Sequence, residues 1–128
     1  MKNVVLVADP DPDRLAALVK RLETAGFHCL TASSGSEALR TASGYSPQLA
    51  VLPAELPELQ GTEVCLRLKQ DPQTEGIVVV LLGKDSSLED RFVGEQVGAD
   101  AYVAAPTDDK ALVARIKELF EERGLNRG

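Results

Sequence analysis

Asp9 and Asp11 flank Pro10 in the run ADPDPD at 8–13. Two carboxylates and a carbonyl could hold a magnesium ion that keeps several of its waters. Asp11 has a second use, because it can cap a helix whose first turn accepts Pro12. Glu55 is a further acid, and the sequence does not fix its direction. No glycines follow the first apolar run, so a phosphate cradle is missing where a nucleotide-binding fold would carry one. His28 is the one histidine and has no serine–acid arrangement around it. With Cys29 and Cys65 the only cysteines, a Cys/His cluster for zinc is excluded. Both cysteines have apolar neighbours and are read as buried free thiols of a reducing compartment. Lys84 and Lys110 are expected to face solvent.

The elements that must position these residues alternate. Apolar runs at 3–8, 27–32, 49–52, 77–82 and 101–104 are short and read as strands. IVVVLL at 77–82 is the most hydrophobic and suits a central strand buried on both faces. Between them lie helical patterns. Leu15, Leu18, Val19 and Leu22 make one apolar stripe that stops at Gly26. Ser34 or Ser36 can cap a short helix carrying Ala38, Leu39 and Ala42 that ends before Gly44. Gly61 opens a helix with Val64, Cys65 and Leu68 inward, ended by Asp71–Pro72. Ser86 or Ser87 begins a fourth, with Leu88, Phe92, Val93 and Val97 turned inward to differing extents and Gly98 at its end. Thr107 caps the last, whose core residues are Leu112, Val113, Ile116, Leu119 and Phe120. Five strands alternating with five helices predict a doubly wound α/β fold over a parallel sheet. Its chemistry would lie at the carboxyl ends of the strands, at Asp9, Pro53, Gly83 and Ala105.

The 128 residues suit one domain, and 44% hydrophobic with 27% charged residues suit a globular one. Lys2 and VVLV are cut short by Ala8 and Asp9, too soon for a signal peptide. No apolar run reaches the ~20 residues that span a bilayer, so membrane insertion is not expected. A net charge of −6 disfavours direct nucleic-acid binding; Arg40 and Arg67 read as solvated helix positions. A cytoplasmic location is expected.

The order and spacing of VLVADPDP at 5–12, GFHCLTASSGSEAL at 26–39, SPQLAVLPAELPELQG at 46–61, VVVLLG at 78–83 and GADAYVAAP at 98–106 resemble the receiver domain of bacterial two-component response regulators. The resemblance runs from Val4 to about Glu122. It implies a flavodoxin/CheY-like (βα)5 sheet of strand order 2-1-3-4-5, a receiver over residues 1–123, and a tail or linker start at 124–128.

By that resemblance, Asp9 matches the first of the paired acids, and Pro10 stands where the second, a magnesium ligand, belongs. Pro53 falls at the phosphoryl-accepting aspartate, Gly83 at the threonine or serine, and Ala105 at the lysine. The Ala105–Pro106 bond is expected to be cis. Proline has no nucleophilic oxygen, and losing a metal ligand, the hydroxyl and the cation removes the stabilisation of transferred charge. The reading is therefore a pseudo-receiver: no enzyme, no cofactor, no metal beyond a weak site at Asp9 and Asp11, and a phosphorylation-independent protein-interaction role in a signalling or polarity system. Its partners would be other proteins, other domains of a longer chain, or a second copy. The implied docking face presents Leu88, Arg91, Glu95, Tyr102, Ala104, Arg115 and Glu118, and mixes apolar area with both signs of charge. Tyr102 either packs over Phe92 or Arg91 or anchors a partner. Two alternatives stay open: phosphorylation at Asp9 or Glu55, and a small ligand in the room left at Gly83 and Ala105.

Overall fold

A computed structural model describes residues 3–83, 88–104 and 108–126, with the side chains of 88–91 outside the description. Its strands are β1 (Asn3–Ala8), β2 (Phe27–Ala32), β3 (Leu49–Pro53), β4 (Val78–Gly83) and β5 (Ala101–Ala104). They form one parallel sheet in the order β2-β1-β3-β4-β5. The helices are α1 (Pro12–Thr24), α2 (Gly35–Tyr45), α3 (Gly61–Gln70), α4 (Leu88–Gln96) and α5 (Asp109–Glu122). The expected fold and strand order are those observed.

Nearly unbroken apolar strands follow from burial on both faces. Val5, Val7, Leu49, Val51, Val78 and Val80 point into one core with Leu18 and Leu22 of α1 and Leu112, Ile116, Leu119 and Phe120 of α5. Their neighbours Leu6, Ala8, Ala50, Leu52, Val79 and Leu81 point into a second core with Ala38 and Ala42 of α2 and Val64, Cys65 and Leu68 of α3. The period of two along each strand divides the cores. Each fully buried leucine contributes about 1.5–3 kcal/mol, so neither face dispenses with its helices. Phe27 and Phe120 close the first core with their rings tilted by 57° and the centroids 4.9 Å apart.

Helix ends follow local chemistry. Asp11 caps α1 by accepting from the Asp13 and Arg14 N–H groups. Ser34 caps α2, and the Glu37 carboxylate reaches back to the Ser33 N–H at 3.1 Å. α2 runs through Gly44 to Tyr45 and stops at Ser46 in the left-handed region, two residues beyond the expected stop before Gly44. Asp108 rather than Thr107 caps α5, through a bond from the Ala111 N–H; Thr107 and the proposed caps Ser86 and Ser87 lie outside the described residues. After α5 the chain turns back: Leu125 packs on the first core, and its carbonyl accepts from Gln48 at 2.7 Å.

One polar network ties the far end of the sheet. Asp100, before β5, accepts from Lys69 of α3 at 2.8 Å, Arg123 at 3.0 Å and the Val79 N–H of β4 at 2.8 Å. Lys69 also donates to the carbonyls of Ile77 and Glu75. Burial alone would raise the Asp100 pKa, but Lys69, the Val79 N–H and Arg123 outweigh it and hold it below the ordinary value. A depressed carboxyl pKa gives stability that is full above the unfolded value and lost as pH falls through the folded one. Asp100→Asn should therefore cost about 1–3 kcal/mol at neutral pH. In urea titrations the deficit should shrink towards zero below about pH 4; a pH-independent deficit would contradict this account.

Candidate functional site

At the carboxyl edge of the sheet the structure brings together Asp9, just after β1, Pro53, the last residue of β3, and Gly83, the last of β4. Ala105 lies outside the described residues, as does the bond to Pro106.

Asp9 is one-fifth exposed and already held. Its Oδ1 accepts from the Asp11 N–H at 2.8 Å and from Arg14 Nη2 at 3.0 Å, and its Oδ2 accepts from Arg14 Nε at 3.2 Å. This is a two-point guanidinium–carboxylate clamp. Arg14 Nη1 also lies 3.4 Å from Asp11 Oδ2. The hydrogen bond to Asp9 raises the Arg14 pKa, and the backbone N–H groups of Arg14 and Asp13 lower that of Asp11. The acids read as a weak cation site thus share one protein cation. Among the described residues, no group of three or more His, Cys, Asp or Glu converges as metal ligands would. Sequence reasoning missed Arg14. A signal existed: a cation in the first helical turn opposes the macrodipole, so it needs a local acid.

Pro53 belongs to the strand, opposite Leu82, instead of following it as expected. The Ala54 N–H donates to the Leu82 carbonyl at 2.7 Å, so by alternation the nitrogen of residue 53 points away from β4, towards β1. There the β1–β3 register ends at Val7–Val51. A residue without an N–H loses no ladder bond at that point. The loop beyond is drawn in tightly. Gly61 donates to the Ala54 carbonyl at 3.0 Å, and a Cβ on Gly61 would collide with the Pro53 carbonyl. Gly35 donates to the Pro57 carbonyl at 3.0 Å, Leu56 is buried, and Glu58 centres a tight turn at φ 69°. Glu55 is exposed on this loop.

Gly83 does not leave an empty place. A Cβ there would fall on the ring and hydroxyl of Tyr102, and nearer the base of the ring a Cβ on Gly94 of α4 would stand 3.2 Å from Tyr102 Cδ2. Tyr102 thus lies in a slot that two glycines, Gly83 and Gly94, leave along its length, and it packs on the second core. The room expected for a ligand at Gly83 is filled by a side chain of the chain itself.

Of the implied docking face, Glu95 is exposed, Tyr102 and Ala104 are half-buried on β5, and Arg115 pairs within its own helix with Glu118 at 3.1 Å and Glu122 at 3.3 Å. The side chains of Leu88 and Arg91 lie outside the description. Phe92 and Val93, expected inward, are 60% and 39% exposed. With Gly94 as the residue that meets β5, the two large side chains before it turn outward.

His28 is exposed on the edge strand β2, where partial cover was expected. Cys29 and Cys65 are free, and burial pushes each thiol up to about 11. Both are protonated at neutral pH and poor nucleophiles; Cys65 donates to the Val97 carbonyl. Among the described residues, no helix is long and apolar enough to cross a membrane.

Residues 5–117 match the family described as the response regulator receiver domain. The chain is 40% identical over 120 residues to the transcriptional regulatory protein PrrA of Mycobacterium tuberculosis, covering 94% of this chain and 51% of that protein. It is 36% identical over 120 residues to the alkaline phosphatase synthesis transcriptional regulatory protein PhoP of Bacillus subtilis, covering 94% and 49%. It therefore spans about half the length of these relatives. A crystal structure of a CheY-like response regulator receiver domain protein from Methanospirillum hungatei superposes with a TM-score of 0.88 at 26% identity, covering 97% of this chain and 98% of that one.

The slot makes a coupled prediction. Gly83→Thr should cost about 1–3 kcal/mol by overpacking against the Tyr102 ring. Tyr102→Ala in the same chain should recover part of that loss in urea unfolding, with a coupling of at least about 0.5 kcal/mol. Strictly additive losses would show that the two side chains do not compete for one space.

Proposed function

The chain belongs to the response regulator receiver family, and we propose that within it this domain is a pseudo-receiver: a non-catalytic, phosphorylation-independent protein-interaction module of bacterial signal transduction. The observation that carries this is the end of β3. The residue there is Pro53, whose side chain has no oxygen to offer a phosphoryl group. Its surroundings fit the same reading. Pro10 supplies no metal carboxylate, Arg14 is clamped on Asp9, and Tyr102 occupies the place of a side chain at Gly83. Phosphoryl transfer rests on positioned charge around the transferred group, and little of it is left here.

The interaction surface fits the α4–β5–α5 side. The exposed Phe92 and Val93 give it apolar area, and Glu95, Arg115 and Glu118 give it both signs of charge. Partners of that composition are other proteins of a signalling or polarity system, a second copy, or further domains of a longer chain. The transcriptional regulators it resembles are about twice its length. We place the domain in the cytoplasm, where its free thiols, buried Cys65 and half-buried Cys29, stay reduced.

Phosphorylation at Asp9 or Glu55 is the competing reading, and both oxygens of Asp9 are engaged by Arg14. Incubation with acetyl phosphate and magnesium, followed by intact mass, separates the two. The expected result is an unchanged mass. A stoichiometric gain of one phosphoryl unit would replace the pseudo-receiver reading with an atypical receiver.

A further inference from the structure

Helices α1 and α5 lie next to each other over the first core, and an open trench of about 760 Å3 runs between them. Ala17, Val113 and Ala114 give it a small apolar floor. Lys20 and Arg21 of α1 and Lys110 and Lys117 of α5 stand along it. Where α1 gives way to β2 the trench adjoins a smaller pocket of about 160 Å3, and the two share Ala25 and Lys117. This end pocket has another character. Phe27 and Phe120 give it apolar walls, and its polar groups are Asn3, Asn126 and Glu121.

The trench cations are unpaired. Arg14, Arg67, Lys69, Arg115 and Arg123 each have an acidic partner within 3.4 Å. Lys20, Arg21, Lys110 and Lys117 have none among the described residues, and Arg40 on α2 is the other described cation without one. The end pocket carries a fixed hydrogen-bonding pattern instead. Buried Gln48 donates to Asn3 Oδ1 at 3.2 Å, and Asn3 Nδ2 donates to Asn126 Oδ1 at 3.1 Å. With its oxygen engaged, Asn126 offers a ligand the donors of its Nδ2, while Glu121 offers acceptors. The Glu121 carboxylate also repels a phosphate from this end. An anionic ligand would therefore lie with its charge up the trench and its neutral part in the pocket.

We propose that the trench and its end pocket together bind a purine nucleotide. A purine base presents an acceptor at N7 and an exocyclic amine donor, which answer Asn126 and Glu121. Its apolar faces answer Phe27 and Phe120. The phosphates run from Lys117 past Lys20 and Arg21 towards Lys110, as charge-assisted hydrogen bonds require. From Lys110 to Phe120 along α5 is about 15 Å, at about 1.5 Å per residue, a span for one nucleotide and not for a polymer. The trench volume falls within the range of about 300–1,000 Å3 common to small-ligand sites. A nucleic acid would extend past the trench and meet the net charge of −6. No residue of the rim takes part, so the site is independent of whether the domain is phosphorylated.

The probes are GTP and ATP, titrated without divalent cations into the isotopically labelled protein at about 0.1 M salt. At least one should shift the amides of Lys20, Ala25, Lys117 and Asn126. Tripolyphosphate and the bare nucleoside, each half of the ligand, should bind weaker by about tenfold or more. Lys20→Gln with Lys117→Gln changes two exposed side chains and should leave thermal melting unchanged while weakening nucleotide binding by about tenfold or more. Arg40→Gln, a cation removed from another helix, should bind as the unmodified protein does. The proposal is overturned by no shift with either nucleotide, by shifts confined to another face, or by equal binding of the double variant. It is also overturned if Arg40→Gln weakens binding as much, which would make the effect net charge alone. Tripolyphosphate binding as tightly as the nucleotides would reduce the site to an anion patch, and tighter binding of single-stranded RNA would assign it to a polymer.

Discussion

Everything in this molecule hangs on β3. Leu49, Ala50, Val51 and Leu52 have no exposed surface, with β1 on one side, β4 on the other and a helical layer above and below. A strand enclosed in that way can carry polar or irregular residues only where its pairing stops. The β1–β3 register stops at Val51, two residues before β3 itself ends. Pro53 falls in that interval, hydrogen-bonding through its neighbour to β4 and asking nothing of β1. The fold thus leaves one position at its centre where a residue can be exchanged for proline without loss to the sheet.

The surroundings of that position have closed in a consistent way. Where a rim of acids would draw in an external cation, Arg14 supplies an internal one. Where β4 would end in a side chain, Gly83 yields its volume to Tyr102, and Gly94 yields more from the helix above. Where the β3–α3 loop could stand open, Leu56 is buried and Gly61 lets the chain fold back onto the Pro53 carbonyl. The three adjustments are local, and each uses a residue that costs the core nothing.

Most of the architecture was legible because two-faced burial writes apolar runs that no other arrangement needs, and five such runs separated by helical stripes leave few topologies. Helix ends were readable where a single side chain does the capping, as at Asp11 and Ser34, and less so where two candidates adjoin, as at Thr107 and Asp108. The rim positions Asp9, Pro53 and Gly83 were readable from their places at strand ends. What fills the rim was not. Arg14 acts through a side chain five residues from its partner, and Tyr102 acts across a strand pair, so neither leaves a periodic trace. α4 was the least legible helix: with a glycine as its contact to β5, hydrophobic residues alone pointed the wrong way, and Phe92 and Val93 face out.

Magnitudes rank these features by how firmly each opposes phosphoryl chemistry at the rim. The Arg14 side chain is 66% exposed, and an exposed ion pair is worth at most about 1 kcal/mol, less in salt. A divalent ion with a complete ligand set would displace it readily. The clamp alone would therefore not keep a metal ion out. Tyr102 in its slot is a matter of packing, which a conformational change of a few kcal/mol could undo. The missing side-chain oxygen at Pro53 is of another kind, since no movement of the surrounding structure creates a nucleophile. Pro53 therefore limits the end of β3 through its covalent structure, whereas the arginine and tyrosine act through contacts that can be exchanged. The outer helical faces are under no such limit, because they touch the rim only through a core that is already complete.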